Sequence, residues 1–245
     1  MNFKINLAGK NILIHSKYEF LGEYCKDYVV AKQETEDFEI FISEQDIEAE
    51  RVYENVASYT PQYLETVAAL RKIGEQMPLY QVLLCHGALI AYKDVGAFLF
   101  TAPSGIGKST HIGLWKQYLG EDVCILNGDK PFLKVDSSQK IVGCGSPWAG
   151  KEGWQSNKTA PLKGICLIKR GTENQIRKVA PMDALTILLH QIYIPAEKQA
   201  AEKALELIEM ILMQIPVYEL TCDISEDAVR CSFEALTLEN YRQRK

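Results

Sequence analysis

The stretch Phe98-Leu-Phe-Thr-Ala-Pro-Ser-Gly-Ile-Gly-Lys-Ser-Thr110 decides the reading of this chain. An apolar run enters a turn containing Gly105 and Gly107, and Lys108, Ser109 and Thr110 then open a helical pattern. Glycines at these two places let successive backbone N–H groups turn inward around an anion, and the following helix adds the positive end of its dipole. Lys108 supplies a point charge for the β and γ phosphates of a nucleotide, and the Ser109 hydroxyl suits the shell of a Mg²⁺ ion. The phosphate-binding residues expected are therefore Ser104, Gly105, Ile106, Gly107, Lys108, Ser109 and Thr110. One position departs from the G-x-x-x-x-G-K-[ST] pattern, because Ala102 stands where the first glycine belongs. The alternative is a glycine-rich turn that happens to precede a surface helix.

Working outward, residues 80–92 form a long apolar run broken by His86-Gly87, and Lys93-Asp94 turns it into the strand that feeds the loop. The helix after the loop spans 108–119, with Gly120 placed as a left-handed cap. Strands are expected at 123–126, 131–135 and 140–144, followed by a loop, 145–154, rich in glycine and tryptophan; loops of this kind often carry function. A buried strand at 164–168 is expected to pair with 175–179 across the Arg170-Gly171 turn. Two helices follow, with Leu185, Leu188, Leu189 and Ile192 on one face and Ala204, Leu207, Ile208 and Ile211 on the next. A strand at 217–222 and a helix capped by Ser225 end the pattern. Upstream, residues 2–7 and 11–15 read as a hairpin, 38–43 as a strand and 62–77 as a helix. Residues 1–76 are thus an α+β accessory module, and 77–245 a domain built around the loop, including the C-terminal helices. Strands outnumber crossover helices there, so the expected class is α/β with a mixed sheet rather than a simple alternating Rossmann sheet.

Composition sets outer bounds. The chain has 245 residues, 47% hydrophobic and 24% charged, as expected of a folded globular protein. A net charge of −5 leaves no broad basic field, so no nucleic acid partner is expected. Seven cysteines are scattered without a C-x-x-C pair and read as small core residues in a reducing compartment. The first residues are strand-like and lack an apolar signal core, and no apolar run approaches the ~20 residues of a membrane span. The expectation is a cytoplasmic protein without a membrane partner.

Phosphoryl transfer also needs a divalent ion and a group that positions or deprotonates the acceptor hydroxyl. Asp129, in Asn127-Gly-Asp-Lys130 after the 123–126 strand, is the metal candidate; such a carboxylate at the end of a strand next to the phosphate strand reaches Mg²⁺ directly or through water. The alternative is that these typical turn formers only make a turn. His86 is suited to take the acceptor proton or to orient a carboxylate, or else is a hydrogen-bonded core residue. His111 reads as structural. Lys151 is a cation on a glycine loop, able to clamp a γ-phosphate or simply solvated, and Glu152 beside it is an alternative base.

His86-Gly87, Ser104-Gly-Ile-Gly-Lys-Ser109 and Asp129, in that order, resemble the HPr kinase/phosphorylase and phosphoenolpyruvate carboxykinase superfamily. The chain is more similar still to HPr-kinase-like P-loop proteins in which a P-W-x-G-K loop follows, here Pro147-Trp-Ala-Gly-Lys151, and then a P-L-K strand start, here Pro161-Leu-Lys163. The resemblance implies a compact mixed sheet around the phosphate loop, ATP and Mg²⁺ as cofactors, and transfer of the γ-phosphoryl group to a hydroxyl, in HPr kinases a protein serine. It implies catalytic roles for His86, Lys108 and Asp129, metal contacts for Ser109 and Asp129, and a homo-oligomer, since relatives form rings. The departure is Gly128. Family members carry two adjacent aspartates at this strand end, and here only the second is present. Three readings follow: a kinase acting on a protein or peptide serine, a kinase of the same class acting on a polyol-type small molecule, and a nucleotide-binding protein with little turnover.

Overall fold

The computed structural model describes residues 1–53 and 59–243. Strands β1 (Asn2–Leu7) and β2 (Lys10–His15) form an antiparallel hairpin, with Ala8 at φ 52° and Gly9 at φ 83° in the two-residue turn. Two left-handed residues give the turn a twist that matches its strands. Helix α1 (Phe20–Tyr24) leads to β3 (Phe38–Phe41), which runs parallel to β2. Phe38 and Ile40 face inward while Glu39 and Phe41 face out, the alternation their spacing predicts. Helix α2 (Glu44–Tyr53) is followed by α3 (Pro61–Gln76), which begins on a cap: the Thr60 hydroxyl accepts from the Tyr63 amide at 3.3 Å, with Pro61 in the first turn. Leu64, Ala68 and Ile73 of α3 close the core over this sheet. The same core takes in Val82, Phe132, Cys144 and Trp148 from the following segment.

Next come β4 (Val82–Leu84), β5 (Ala88–Tyr92), β6 (Gly96–Thr101), α4 (Lys108–Leu119), β7 (Val123–Asn127), β8 (Phe132–Val135), β9 (Ile141–Cys144), β10 (Thr159–Arg170), β11 (Gln175–Val179), α5 (Pro181–Leu189), α6 (Lys198–Gln214), β12 (Val217–Cys222) and α7 (Glu226–Thr237). Among the described residues they build a nine-stranded mixed sheet, ordered β4-β8-β9-β10-β6-β5-β7, with β12 also on β10 and β11 on β12. Strand β10 joins the parts: its start pairs antiparallel with β9, and the rest pairs parallel with β6 and β12. Successive residues of β6 serve opposite layers. Phe98 and Phe100 pack with Trp115 of α4 and Phe233 of α7, whereas Ala97 and Leu99 pack with Leu188 of α5 and Leu207 of α6. No helix among the described residues is long and apolar enough to cross a membrane.

Three sequence expectations need correction. Strand β11 pairs with β12 and not with β10, because β12 lies between them. Val217, Leu220 and Cys222 of β12 are buried, whereas Gln175, Arg177 and Lys178 of β11 are exposed, so β11 takes the edge. Strand β7 is not next to β6, the strand that feeds the glycine loop, either, since β5 stands between them. Gly120 has φ 61° but ψ −136°, outside the left-handed helical region, although its amide still reaches back to Lys116.

Candidate functional site

The site forms where strand ends converge. Strands β6, β10 and β12 are mutually parallel, and β7 shares their direction because β5 is antiparallel to both β6 and β7. Their C-terminal ends therefore lie along one edge of the sheet, together with His86-Gly87 at the start of β5. The crevice outside such ends is where open α/β sheets bind ligands. Here it is a cleft of about 960 Å³ lined by His86, Ser104, Gly105, Gly107, Lys108, Ser109, Thr110, Asp129 and Lys151, all singled out from the sequence. Ile106 instead faces a neighbouring apolar cleft.

On one wall, residues 102–107 link β6 to α4. Gly105 has φ 77° and Gly107 φ 119°, and Lys108 is the first residue of the helix. A side chain at either glycine would be strained in that backbone. Ala102 is not among the non-glycine residues with positive φ and is buried, so the turn makes no demand for glycine there. The Lys108 ammonium donates to the Ala102 carbonyl at 3.0 Å, and the residue as a whole is 7% exposed. Burial pulls its pKa down, Asp129 pulls it up, and Lys130 lowers it again. A partly desolvated cation held at the loop is a strong partner for an incoming anion.

Opposite, Asn127 organises the Gly128-Asp129-Lys130 turn. Its buried side-chain oxygen accepts from the amides of Asp129 and Lys130 at 2.8 and 2.6 Å. Its side-chain nitrogen donates to the Ser146 and Trp148 carbonyls at 2.9 and 3.2 Å. The segment is a side-chain-built turn, and that turn presents a carboxylate to the cleft. Asp129 Oδ1 lies 3.4 Å from His86 Nε2, and Oδ2 lies 3.0 Å from Lys130 Nζ. Burial alone would raise the Asp129 carboxyl, but His86 and Lys130 outweigh it and hold its pKa at about 2. His86 is fixed by its backbone: its amide donates to the Gln191 carbonyl at 2.7 Å, and its carbonyl accepts from the Thr101 hydroxyl at 2.8 Å. The amide of Gly87 donates to the Asp129 carbonyl at 2.9 Å, stitching the start of β5 to the Asn127 turn.

Gly128 is required by space. A Cβ there would stand 2.9 Å from the Ala149 carbonyl oxygen, and the Gly128 amide donates to the Trp154 carbonyl at 2.9 Å. The loop after β9 thus lies against the position where a second carboxylate would start. Trp148 anchors that loop by donating to the Thr66 carbonyl of α3 at 2.8 Å, and Lys151 and Glu152 beyond it are exposed on the cleft rim.

Four lining residues were not anticipated. Arg170, at the end of β10, donates to the carbonyls of Ile106 at 3.0 Å and Gly105 at 2.5 Å, gripping the loop from outside. Its signal was available, since it is a cation ending a buried strand, but it read as part of a turn. Lys130 stood beside Asp129 in plain view. Tyr59, just before α3, and Tyr63, in its first turn, bring the first structural unit to the cleft and carried no sequence signal. His111 is buried as expected, bonded through Nε2 to Ser232 at 3.0 Å.

In sequence, no family model and no curated protein matches the chain. Among solved structures, the Hpr(Ser) kinase/phosphatase from Coxiella burnetii is similar to it at 12% identity, over 62% of this chain and 92% of that one, with a TM-score of 0.33. The chemistry of the site rests on its own residues.

Proposed function

We propose that this chain is an ATP- and Mg²⁺-dependent kinase that transfers the γ-phosphoryl group to a hydroxyl, with a protein or peptide serine as the first acceptor class. The observation that carries this reading is the shared cleft, with the Lys108 loop on one wall and ionised Asp129, flanked by His86 and Lys130, on the other. Phosphoryl transfer is achieved mainly by positioning and charge neutralisation, which this arrangement supplies. Backbone amides from Gly105 to Ser109 and the Lys108 ammonium hold the β and γ phosphates, while Arg170 keeps the loop in shape. The Ser109 hydroxyl and Asp129 carboxylate are hard oxygen donors of the kind Mg²⁺ takes one or two of, beside phosphate oxygens. Bound there, the ion would neutralise charge on the transferring group. A carboxyl with a pKa of about 2 is a weak base at neutral pH, so Asp129 orients the acceptor hydroxyl by accepting its hydrogen bond. The acceptor oxygen bonds to the γ-phosphorus, the bond from phosphorus to the ADP oxygen breaks, and the hydroxyl proton passes to the His86 imidazole. Lys151, on the rim, is a cation within reach of the γ-phosphate.

The packing of Ala149 against Gly128 favours a second reading, a nucleotide-binding protein with slow turnover, because it leaves no room for the second carboxylate of the resembling family. A polyol-type acceptor would use the same walls. ADP release with Mg²⁺ and ATP, with and without protein, peptide and polyol acceptors, separates these readings. Acceptor-dependent release that disappears in Lys108→Ala and Asp129→Ala supports the kinase. ATP binding without any acceptor-dependent release across the panel would sink it in favour of the binding protein.

A further inference from the structure

Part of the polar cleft's lining comes from outside the nine-stranded sheet. Tyr59 and Tyr63 reach the cleft from the first structural unit and line it together with Asp129, Lys151 and Glu152. Their ring centroids lie 4.7 Å apart with the planes tilted by 56°, and the residues are 36% and 37% exposed. The steps of phosphoryl transfer above use neither.

Hydrogen bonds fix where these rings stand. The Tyr59 carbonyl accepts from Arg51 at 3.3 Å, and the Tyr63 carbonyl accepts from the Thr66 hydroxyl at 2.7 Å. The Thr66 carbonyl in turn accepts from Trp148, the anchor of the loop that carries Lys151 and Glu152, so the start of α3 is registered against the cleft wall. The aromatic surface then continues outward. The buried Glu65 carboxylate of α3 accepts from the Tyr18 amide at 3.1 Å and holds the entry to α1 beside α3. From α1, Tyr24 has its ring centroid 6.2 Å from that of Trp148, and Phe20 follows 6.1 Å from Tyr24. Tyr24 is also within electrostatic reach of the cleft: burial pushes its phenol pKa up, and Tyr63, Cys25 and Asp129 push it further.

Rings thus run from Tyr59 and Tyr63 at the cleft to Tyr24 and Phe20 outside it, and the inner end of this track lies by the Asp129 carboxylate. A cleft of about 960 Å³ is at the top of the ~300–1,000 Å³ of ordinary ligand pockets, with room for a triphosphate and one acceptor side chain. A small polyol would stay inside it and leave the outer rings uncovered. A peptide advances ~3.3–3.6 Å per extended residue, so within two or three residues of a serine at Asp129 its side chains lie over neighbouring rings. Ring faces and edges favour apolar and aromatic side chains, whereas Lys151 and Glu152, of opposite sign, give no preference for an acidic or a basic peptide.

Resting on the kinase reading above, we propose that Tyr59 and Tyr63 form an acceptor subsite for a bulky apolar side chain flanking the serine of a peptide, with Tyr24 and Phe20 extending it outward. The first structural unit then selects the acceptor, and the phosphate loop holds the donor.

The test uses the full chain with Mg²⁺ and ATP, glycerol as a polyol, and two synthetic peptides that differ only in having Phe or Ala on both sides of one serine. The Phe peptide is expected to be phosphorylated with a kcat/KM roughly tenfold or more above the Ala peptide, about 1.4 kcal/mol, mostly through a lower KM. Tyr59→Ala combined with Tyr63→Ala is expected to bring that ratio near one, and Tyr59→Phe with Tyr63→Phe, which keeps the rings, to retain it. Phe20→Ser, at an exposed position outside the cleft, is expected to lower the ratio part of the way by raising KM for the Phe peptide. Calorimetric titration of the same peptides with serine replaced by alanine, in ADP and Mg²⁺, reads the preference without turnover. Equal handling of the two peptides by the wild type overturns the subsite and leaves the kinase standing, as does phosphorylation of glycerol alone. A binding preference without any turnover upholds the subsite and overturns the kinase. Neither turnover nor peptide binding overturns both.

Discussion

Gly128 and Ala149 are in backbone contact that no side chain can enter: a Cβ on Gly128 would lie 2.9 Å from the Ala149 carbonyl oxygen. The obstacle is main chain, held by the Gly128 to Trp154 hydrogen bond and the Trp148 anchor, so it cannot swing aside like the end of a long side chain. Gly128→Asp is therefore expected to destabilise the fold by about 1–3 kcal/mol, the usual range for overpacking, and to displace the 147–154 loop. Thermal unfolding of Gly128→Ala and Gly128→Asp checks this. Equal stability of Gly128→Ala and wild type, or a faster phosphotransfer in Gly128→Asp, would show that the loop yields.

Lys108 is costly to the fold, and under the proposed function its charge meets the bound phosphates. Its ammonium is partly desolvated, and burial pulls its pKa down. Lys108→Met keeps the length and removes the charge, so stability without ligand is expected to stay within about 1 kcal/mol of wild type or to rise. Tripolyphosphate and ATP should bind at least roughly tenfold more weakly, since a charge-assisted contact is worth about 1.5–3 kcal/mol. Melting curves with and without each ligand read both effects, and retention of the full ligand-induced shift would remove Lys108 from the binding site.

The Asp129 carboxyl has a pKa of about 2, below its ordinary 3.8, so its ionised form is favoured by folding. The stability it gives is fully present above pH 3.8 and is lost as pH falls toward 2. Asp129→Asn is expected to be less stable than wild type by on the order of 1–2 kcal/mol across pH 5–7, with the gap closing between pH 4 and pH 2. His111 acts in a higher window: burial lowers its pKa from 6.5 to about 4, so protonation of the unfolded chain erodes stability as pH falls from 6.5 toward 4. Denaturant unfolding of wild type, Asp129→Asn and His111→Gln across pH separates the two. A gap between wild type and Asp129→Asn that is unchanged at pH 2.5 would mean the carboxylate is not held by His86 and Lys130.

Arg170 grips the carbonyls of Gly105 and Ile106 with two different nitrogens. Lysine offers a point charge instead of a planar fork, so Arg170→Lys is expected to rescue little of what Arg170→Ala loses. Both should weaken ATP and tripolyphosphate binding by roughly three- to tenfold, as the paired charge-assisted contacts shaping the loop are lost. Equal affinity of Arg170→Lys and wild type would mean that charge alone matters at this position.

What the sequence determined by itself was local. A strand, two glycines and a helix starting at Lys108 are contiguous, and each is written in the residues that form it: the unbroken apolar run of β6, positive φ at Gly105 and Gly107, and the helical pattern of α4. The Ala8-Gly9 hairpin, the Ser225 cap and the face of α6 were legible for the same reason, whereas the Thr60 cap of α3 was not singled out. Which strands become neighbours was settled only in three dimensions, because pairing depends on total burial across the sheet. That is why β12 displaced β11 from β10, and why β5 separates β7 from β6. The site follows the same division. Ser104 to Thr110, His86 and Asp129 could be chosen from short motifs, since the residue types themselves carry the chemistry. The Arg170 clasp on the loop, the arrival of Tyr59 and Tyr63 at the cleft and the Ala149 carbonyl filling the space above Gly128 arise from segments far apart in the chain. Only their packing decides that Gly128 is a steric necessity here.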